Sequence, residues 1–288
     1  LNNSSKKTWA VFFMLISSLC FAIMAALVKM SGEVPTLEKA FFRNFVSLII
    51  STIMIIYNRA NPLGKKENRK YLIARGVLGT IGMIAYFYCI DNMLLADSSM
   101  LNKMNPFFIT IFAVVFLKEK LTSIQIPALV IAFIGAIFII KPKFDISVIP
   151  AFIGFMSAAF AGAAYTVVRF LGNKEKHYTI VFYFSFISTV LPLPFMLMNF
   201  KILTFCQLFM LIGAGTFAAI AQFALTISYK YAKASEVSIY NYTNIIFSQV
   251  IAFILWKEVP DKFSIIGYIL IIASSILVFT HSKNMQEN

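Results

Sequence analysis

The sequence predicts an all-α polytopic membrane protein with ten transmembrane helices in two inverted five-helix repeats. Three observations carry that expectation. Of 288 residues, 60% are hydrophobic and only 13% charged, whereas soluble domains carry about a quarter charged residues. Apolar runs of roughly 18 or more residues recur, each long enough to cross about 30 Å of hydrocarbon. The second half of the chain also repeats the first. Because the runs are continuous rather than alternating, a β-barrel does not fit.

The expected spans cover 8–30, 36–57, 71–91, 94–117, 122–141, 148–170, 179–198, 204–229, 234–256 and 262–281. The first opens on "NNSSKKTWAVFFML", which has the charged start of a signal peptide. Its apolar run continues to Met30 without a small-residue cleavage site, so it reads as an uncleaved span. Ser18, Ala22 and Ala26 give it a close-packing stripe, which Ala158, Gly162 and Thr166 repeat on the sixth span. The second span carries Arg43, whose acidic partner is expected on another helix. A basic, turn-rich loop, Asn58–Lys70, leads to the third, where Gly76, Gly79 and Gly82 allow close packing. Arg75 there reads as a topogenic charge at the inner face. The remaining connections are short, so neighbouring helices run antiparallel. With the N-terminus inside, fifteen Lys and Arg fall on the inner side and eight on the outer. Both termini are therefore expected in the cytoplasm.

Sliding Asp97–Leu121 forward by 139 positions lays it without a gap on Glu236–Pro260. Asn102 then meets Asn241, Asn105 meets Asn244, and Lys118-Glu119 meets Lys257-Glu258. A shift of 140 matches Ser17 with Ser157 and Val28-Lys29 with Val168-Arg169. The expected repeats are residues 1–143 and 144–288. Five spans in each make the second enter the membrane from the opposite side. Inverted repeats build two similar gates around one site, which points to a transporter working by alternating access.

Other classes are poorly supplied. Cys20, Cys89 and Cys206 lie in or beside apolar runs and read as buried thiols. With two histidines, the chain offers no metal site, catalytic constellation or cofactor motif. No GxxxxGK[ST] appears, so ATP is not the expected direct drive. The net charge of +13 sits between apolar runs, as topogenic charge does, and does not indicate nucleic acid.

The polar residues of the fourth span, "SMLNKMNPFF", supply the candidate site. Ser99, Lys103 and Pro106 share a helical face, bordered by Asn102 and Asn105. Pro106 lacks a backbone donor and frees the carbonyl of Asn102. Two readings of Lys103 stand open: its stem snorkels to an interface, or its ammonium faces a cavity. The repeat-mates Tyr240, Asn241 and Asn244 add amides and an aromatic ring, or serve as interhelical glue. Tyr86 lines the cavity or anchors at an interface. Asp97 and Glu236 are either helix-start acids or a pair of gating, proton-handling carboxylates, one for each face.

Three stretches resemble a known family. "LLADSSMLNKMNPFFITIFAVVFLKEKLT" is similar to its fourth helix, "GTFAAIAQFALTISYKYAKAS" to its eighth with Gln222, and "EKAFFRNFVSLI" to its second with Arg43. The family is the drug/metabolite transporter superfamily, in its EamA branch. The resemblance implies a central cavity between helices three, four, eight and nine, with Gln222 among the substrate-binding residues. It also implies substrates such as amino acids, S-adenosylmethionine, vitamins, nucleosides or drugs. Lys103 departs from the small or apolar residues usual in that fourth helix. The expected function is secondary transport of a small organic metabolite across a bacterial-type inner membrane, with amino acids and their derivatives first. A lipid-linked flippase or a non-transporting multi-pass protein is the alternative. The expected partners are the metabolite and the bilayer; oligomeric state is left open.

Overall fold

A computed structural model describes residues 3–118, 124–141, 148–171, 174–198, 200–231 and 238–287. Every regular element among them is helical. In chain order these are α1 (Asn3–Met30), α2 (Thr36–Tyr57), α3 (Arg69–Asn92), α4 (Leu95–Asn102), α5 (Asn105–Leu117) and α6 (Gln125–Ile140). There follow α7 (Ile149–Leu171), α8 (His177–Val190), α9 (Leu193–Met198), α10 (Phe205–Tyr231), α11 (Thr243–Trp256) and α12 (Lys262–Glu287). Short 3₁₀ turns cover Lys66–Asn68 and Ser238–Tyr242.

Among the described residues, eight helical stretches are long and apolar enough to cross a membrane, and α6 is a shorter apolar helix. Large apolar side chains such as Ile56, Phe116, Phe209 and Ile254 remain exposed. In water such a belt would drive association; in lipid it meets a matching solvent. The exposed Cys206 corrects the expectation of three buried thiols; only Cys20 and Cys89 are buried. Cys206 lies in the first turn of α10, where the helix has only begun to pack.

Three expected spans are interrupted. The fourth breaks at Lys103–Met104 between α4 and α5, just before Pro106. The seventh breaks at Leu191–Pro192 between α8 and α9. Proline cannot donate to the preceding turn, which explains both positions. The ninth enters through the 3₁₀ turn Ser238–Tyr242 before α11 begins; its first expected residues, 234–237, lie outside the described ones.

The helices pack in pairs. α1 lies against α10 and α11, α3 against α7 and α8, α2 against α8 and α10, α5 against α7, and α6 against α12. Small residues set the closest approaches. At Gly267 an added Cβ would stand 2.6 Å from the Gly135 carbonyl oxygen, so α6 and α12 meet backbone to backbone. At Gly82 it would stand 3.1 Å from the Ser157 oxygen of α7.

These contacts predict a contrast between two glycines. Gly267→Ala should destabilise the protein by about 1–3 kcal/mol, because backbone rather than a flexible side chain must move. Gly213→Ala should be neutral or slightly stabilising, since its new Cβ would meet only the Leu27 side chain, at 3.3 Å. Thermal melts in detergent check the contrast; equal melting temperatures would contradict it.

Candidate functional site

The interruption of the fourth span places a charge in the interior. Lys103 ends α4 with φ −72° and ψ 3°, and its side chain is buried. Its Nζ donates to Asn241 Oδ1 at 2.9 Å and lies 6.0 Å from the centroid of the Phe21 ring. No carboxylate pairs with it among the described residues. An ammonium at this depth costs about 2.5–3.5 kcal/mol on insertion scales, so an amide oxygen and an aromatic face are slender compensation.

The backbone around the break is satisfied locally. The Asn105 side-chain amide donates to the freed Asn102 carbonyl at 2.8 Å. Tyr242 Oη donates to the Lys103 carbonyl at 3.3 Å. One turn earlier, Ser99 Oγ bonds Ser248 Oγ at 3.1 Å and lies 3.3 Å from Tyr86 Oη. The structure therefore groups Lys103 with Asn241, Phe21 and Tyr242, and, one turn earlier on α4, Ser99 with Tyr86 and Ser248. The Asn105 side chain and the Asn102 carbonyl thus hold the break. Asn244 Nδ2 donates to the Ser18 carbonyl at 2.8 Å and ties α11 to α1. Tyr240 has an exposed side chain, while its carbonyl accepts from Ser18 and Thr243.

Gln222 lies elsewhere. It lines a cavity of about 20 Å³, room for a water and not for an organic solute. Arg43, Ser47, Phe184 and Ser185 line the same cavity. Arg43 finds no acidic partner among the described residues; its Nη1 donates to Asn44 Oδ1 and lies near Met83 Sδ. Arg75, expected at an interface, is instead buried over the Phe184 ring at 4.4 Å. Six positions into α3, it lies too deep for a surface charge.

One end of the bundle carries a chain of ties. Lys29 at the end of α1 forms an ion pair with Glu258, and its Nζ also donates to the Met93 carbonyl at 3.0 Å. The other oxygen of Glu258 accepts from the Leu95 backbone N–H at 3.0 Å, at the start of α4. A carboxylate there is favoured by the helix dipole. Asp97 does not cap its own helix. It accepts from Tyr268 Oη at 2.5 Å and from Ser264 Oγ at 3.1 Å, both on α12. Lys141 Nζ bonds Ser264 Oγ and Asp261 Oδ1, each at 2.9 Å. The Ser264 backbone N–H and the Lys141 ammonium hold the Asp261 carboxyl below its usual range. That tie is therefore complete at neutral pH and is lost as pH falls through this depressed value. Lys39, fully buried, pairs with Asp91 at 2.6 Å and links α2 to α3. Glu236, the expected mate of Asp97, lies outside the described residues.

Sequence reasoning missed Phe21, Tyr242 and Ser248. An apolar ring, a tyrosine and a serine carry no signal of their own inside apolar runs. Only the shift of 139, which pairs Lys103 with Tyr242, could have singled one out.

Comparison with known proteins follows the same lines. The model of the "EamA-like transporter family" matches residues 8–141 and again 148–280. The chain is 31% identical over 276 residues to the pseudopaline exporter CntI of Pseudomonas aeruginosa, covering 95% of this chain and 96% of that one. It is 24% identical over 294 residues to an S-adenosylmethionine uptake transporter of Rickettsia bellii, covering 99% of each. Human solute carrier family 35 member G1 is 26% identical, covering 92% of this chain and 77% of its own. One crystal structure superposes with a TM-score of 0.66 over 96% of this chain and 98% of that one, at 13% identity. At that identity the likeness is of fold alone.

The Glu258 tie is directly testable. Glu258→Ala leaves the Leu95 N–H and the Lys29 ammonium short of an acceptor, and should destabilise by about 1–3 kcal/mol. Glu258→Gln can still accept from Leu95 and should recover part of the loss. Melting temperatures in detergent check the order wild type, Gln, Ala; an Ala variant as stable as wild type would contradict the tie.

Proposed function

This chain belongs to the EamA-like transporter family and is a secondary transporter of small metabolites; we propose that its substrate is an amino acid or amino-acid derivative whose carboxylate meets Lys103. The observation that carries this reading is the buried Lys103 ammonium, held by Asn241 and lacking a carboxylate partner among the described residues. A substrate carboxylate would supply the missing counter-charge; on this reading Ser99, one turn earlier on α4, and Tyr86 bonded to it are further donors to the substrate. The two relatives named for their substrates run in opposite directions, export and uptake, so direction is not carried over from them.

The route is alternating access between two inverted halves, residues 1–143 and 144–288, with ten crossings. The packing pairs support it. Matching helices by the repeat turns the α1–α10 contact into α7–α3, α1–α11 into α7–α5, and α2–α10 into α8–α3. The interruptions at Lys103–Met104 and Tyr242–Thr243 also coincide under the shift of 139. Lys118 and Lys257, repeat-mates, both end their helices with φ 57°. The five-residue 3₁₀ turn and the 14-residue α11 together give about 31 Å, enough for the ninth crossing. The charge asymmetry of the loops supports cytoplasmic termini in a bacterial-type inner membrane, which puts the Lys29–Glu258 end outside. On this reading Asp97 and Glu236 are the gating, proton-handling carboxylates of the two faces.

The test is a thermal-shift panel of amino acids, S-adenosylmethionine, nucleosides, riboflavin and polyamines on the purified protein, repeated on Lys103→Met. A ligand at a hundred times its Kd stabilises by about 2.7 kcal/mol. A carboxylate-bearing hit should lose its shift in Lys103→Met. A shift that survives the substitution overturns the assignment of Lys103. Transport of that hit in proteoliposomes should lose its pH dependence in Asp97→Asn; an unchanged profile removes Asp97 from proton handling.

A further inference from the structure

Two arginines on different helices share one ring. The Arg75 Cζ lies 4.4 Å and the Arg43 Cζ 5.9 Å from the centroid of Phe184 on α8. Each arginine is buried, 7% exposed as a residue. Arg75 also lies 5.5 Å from the centroid of Tyr165. Neither pairs with a carboxylate among the described residues, and the Nε of each has no hydrogen-bond partner.

A third polar atom points the same way. Ser185 Oγ, next along α8, is fully buried and unpartnered. Arg43, Ser185 and Phe184 line the cavity of about 20 Å³, as does Gln222 from α10. Space has been kept for Arg75 as well: a Cβ added at Gly79 would stand 2.1 Å from its Nη1.

Structural stacking does not account for this arrangement. An arginine placed for stacking alone needs one ring and a paired fork. Here two like charges share a ring in a medium where repulsion is weakly screened, and their inner donors are left open. Buried unpaired charge persists in membrane helices chiefly where it marks a ligand path. Guanidinium forks match planar and tetrahedral oxyanions in a way a lone ammonium does not.

We propose that Arg43, Arg75 and Ser185 form an anion subsite for a carboxylate or similar oxyanion of the transported solute. The subsite is contracted here and widens as the helices part. Taken with the reading of Lys103 above, on which this extension rests, it makes the solute one that carries at least two acidic groups.

The test uses citrate and inorganic phosphate as probes, titrated calorimetrically into the full chain in detergent. Wild type should bind citrate. Arg43→Gln and Arg75→Gln should each weaken it at least about tenfold, the loss of one charge-assisted bond. Arg75→Lys keeps the charge without the fork and should fall between. Ser185→Ala removes a hydroxyl that has no partner, so it should melt no lower than wild type while binding citrate a few-fold more weakly. It therefore keeps the proposal falsifiable if the arginine variants fail to fold. Lys66→Gln, at an exposed turn, should bind as wild type does.

Citrate and phosphate failing to bind wild type, or binding all variants alike, overturns the subsite. The two readings fail separately. Arginine-dependent citrate binding with no Lys103-dependent ligand keeps the subsite and removes the Lys103 assignment. The converse keeps Lys103 and removes the subsite.

Discussion

Inside hydrocarbon, every backbone polar group of the chain must find its partner within the protein. The break at Lys103–Met104 is where that constraint is most severe, and much of the architecture answers it. Pro106 removes a donor; Asn105 returns one to the Asn102 carbonyl. Tyr242 serves the Lys103 carbonyl and Asn241 the ammonium, both from the 3₁₀ turn that opens the ninth helical segment. One interruption is thus stabilised by the other. An isolated break in either segment would leave buried polar groups without partners.

The same logic governs the end of the bundle that carries Lys29. Glu258 binds an ammonium from α1 and a backbone donor from α4, so one side chain holds three chain segments at a point. Ties of this kind contribute little at an exposed surface; for a mostly buried pair the removal of one partner is costly because it strands the other charge. They are also reversible: the ion pair can open without disturbing the apolar contacts that hold each helix pair together. Contacts between Gly135 and Gly267 are of the other kind, backbone against backbone, and suit a hinge or fixed seam better than a gate. A transporter needs both, a seam that stays and a latch that yields.

The sequence made the apolar spans and the duplication legible, because hydropathy and self-similarity accumulate over many residues. Lys103 stood out because its charge is so costly at that depth. Its partner did not, since Asn241 carried an equally good reading as interhelical glue; Asn244, its neighbour on the same stripe, has that role with Ser18. Gln222, expected in the substrate site by resemblance, lines a separate small cavity with Arg43, because membership of a cavity-lining helix does not fix which level of the cavity a residue reaches. Arg75 reads as an interfacial charge on a span expected from residue 71, but α3 begins two residues earlier, at Arg69, and carries it about a half-turn deeper. The apolar neighbours of Cys206 suggest burial, yet Cys206 is exposed, because such neighbours in a membrane helix face lipid as readily as protein.

On the proposed mechanism the two halves rock against each other, opening one end as the other closes. The most direct measurement places spin-label pairs at both ends of a cysteine-free protein in nanodiscs, at Met30 with Val259 and at Tyr57 with Tyr231, all exposed positions. Electron–electron distance distributions are then compared with and without Glu258→Gln, which weakens the Lys29 latch. Rocking halves predict a longer Met30–Val259 distance together with a shorter Tyr57–Tyr231 distance. Lengthening at both ends, or no change at the second when the first opens, would contradict alternating access.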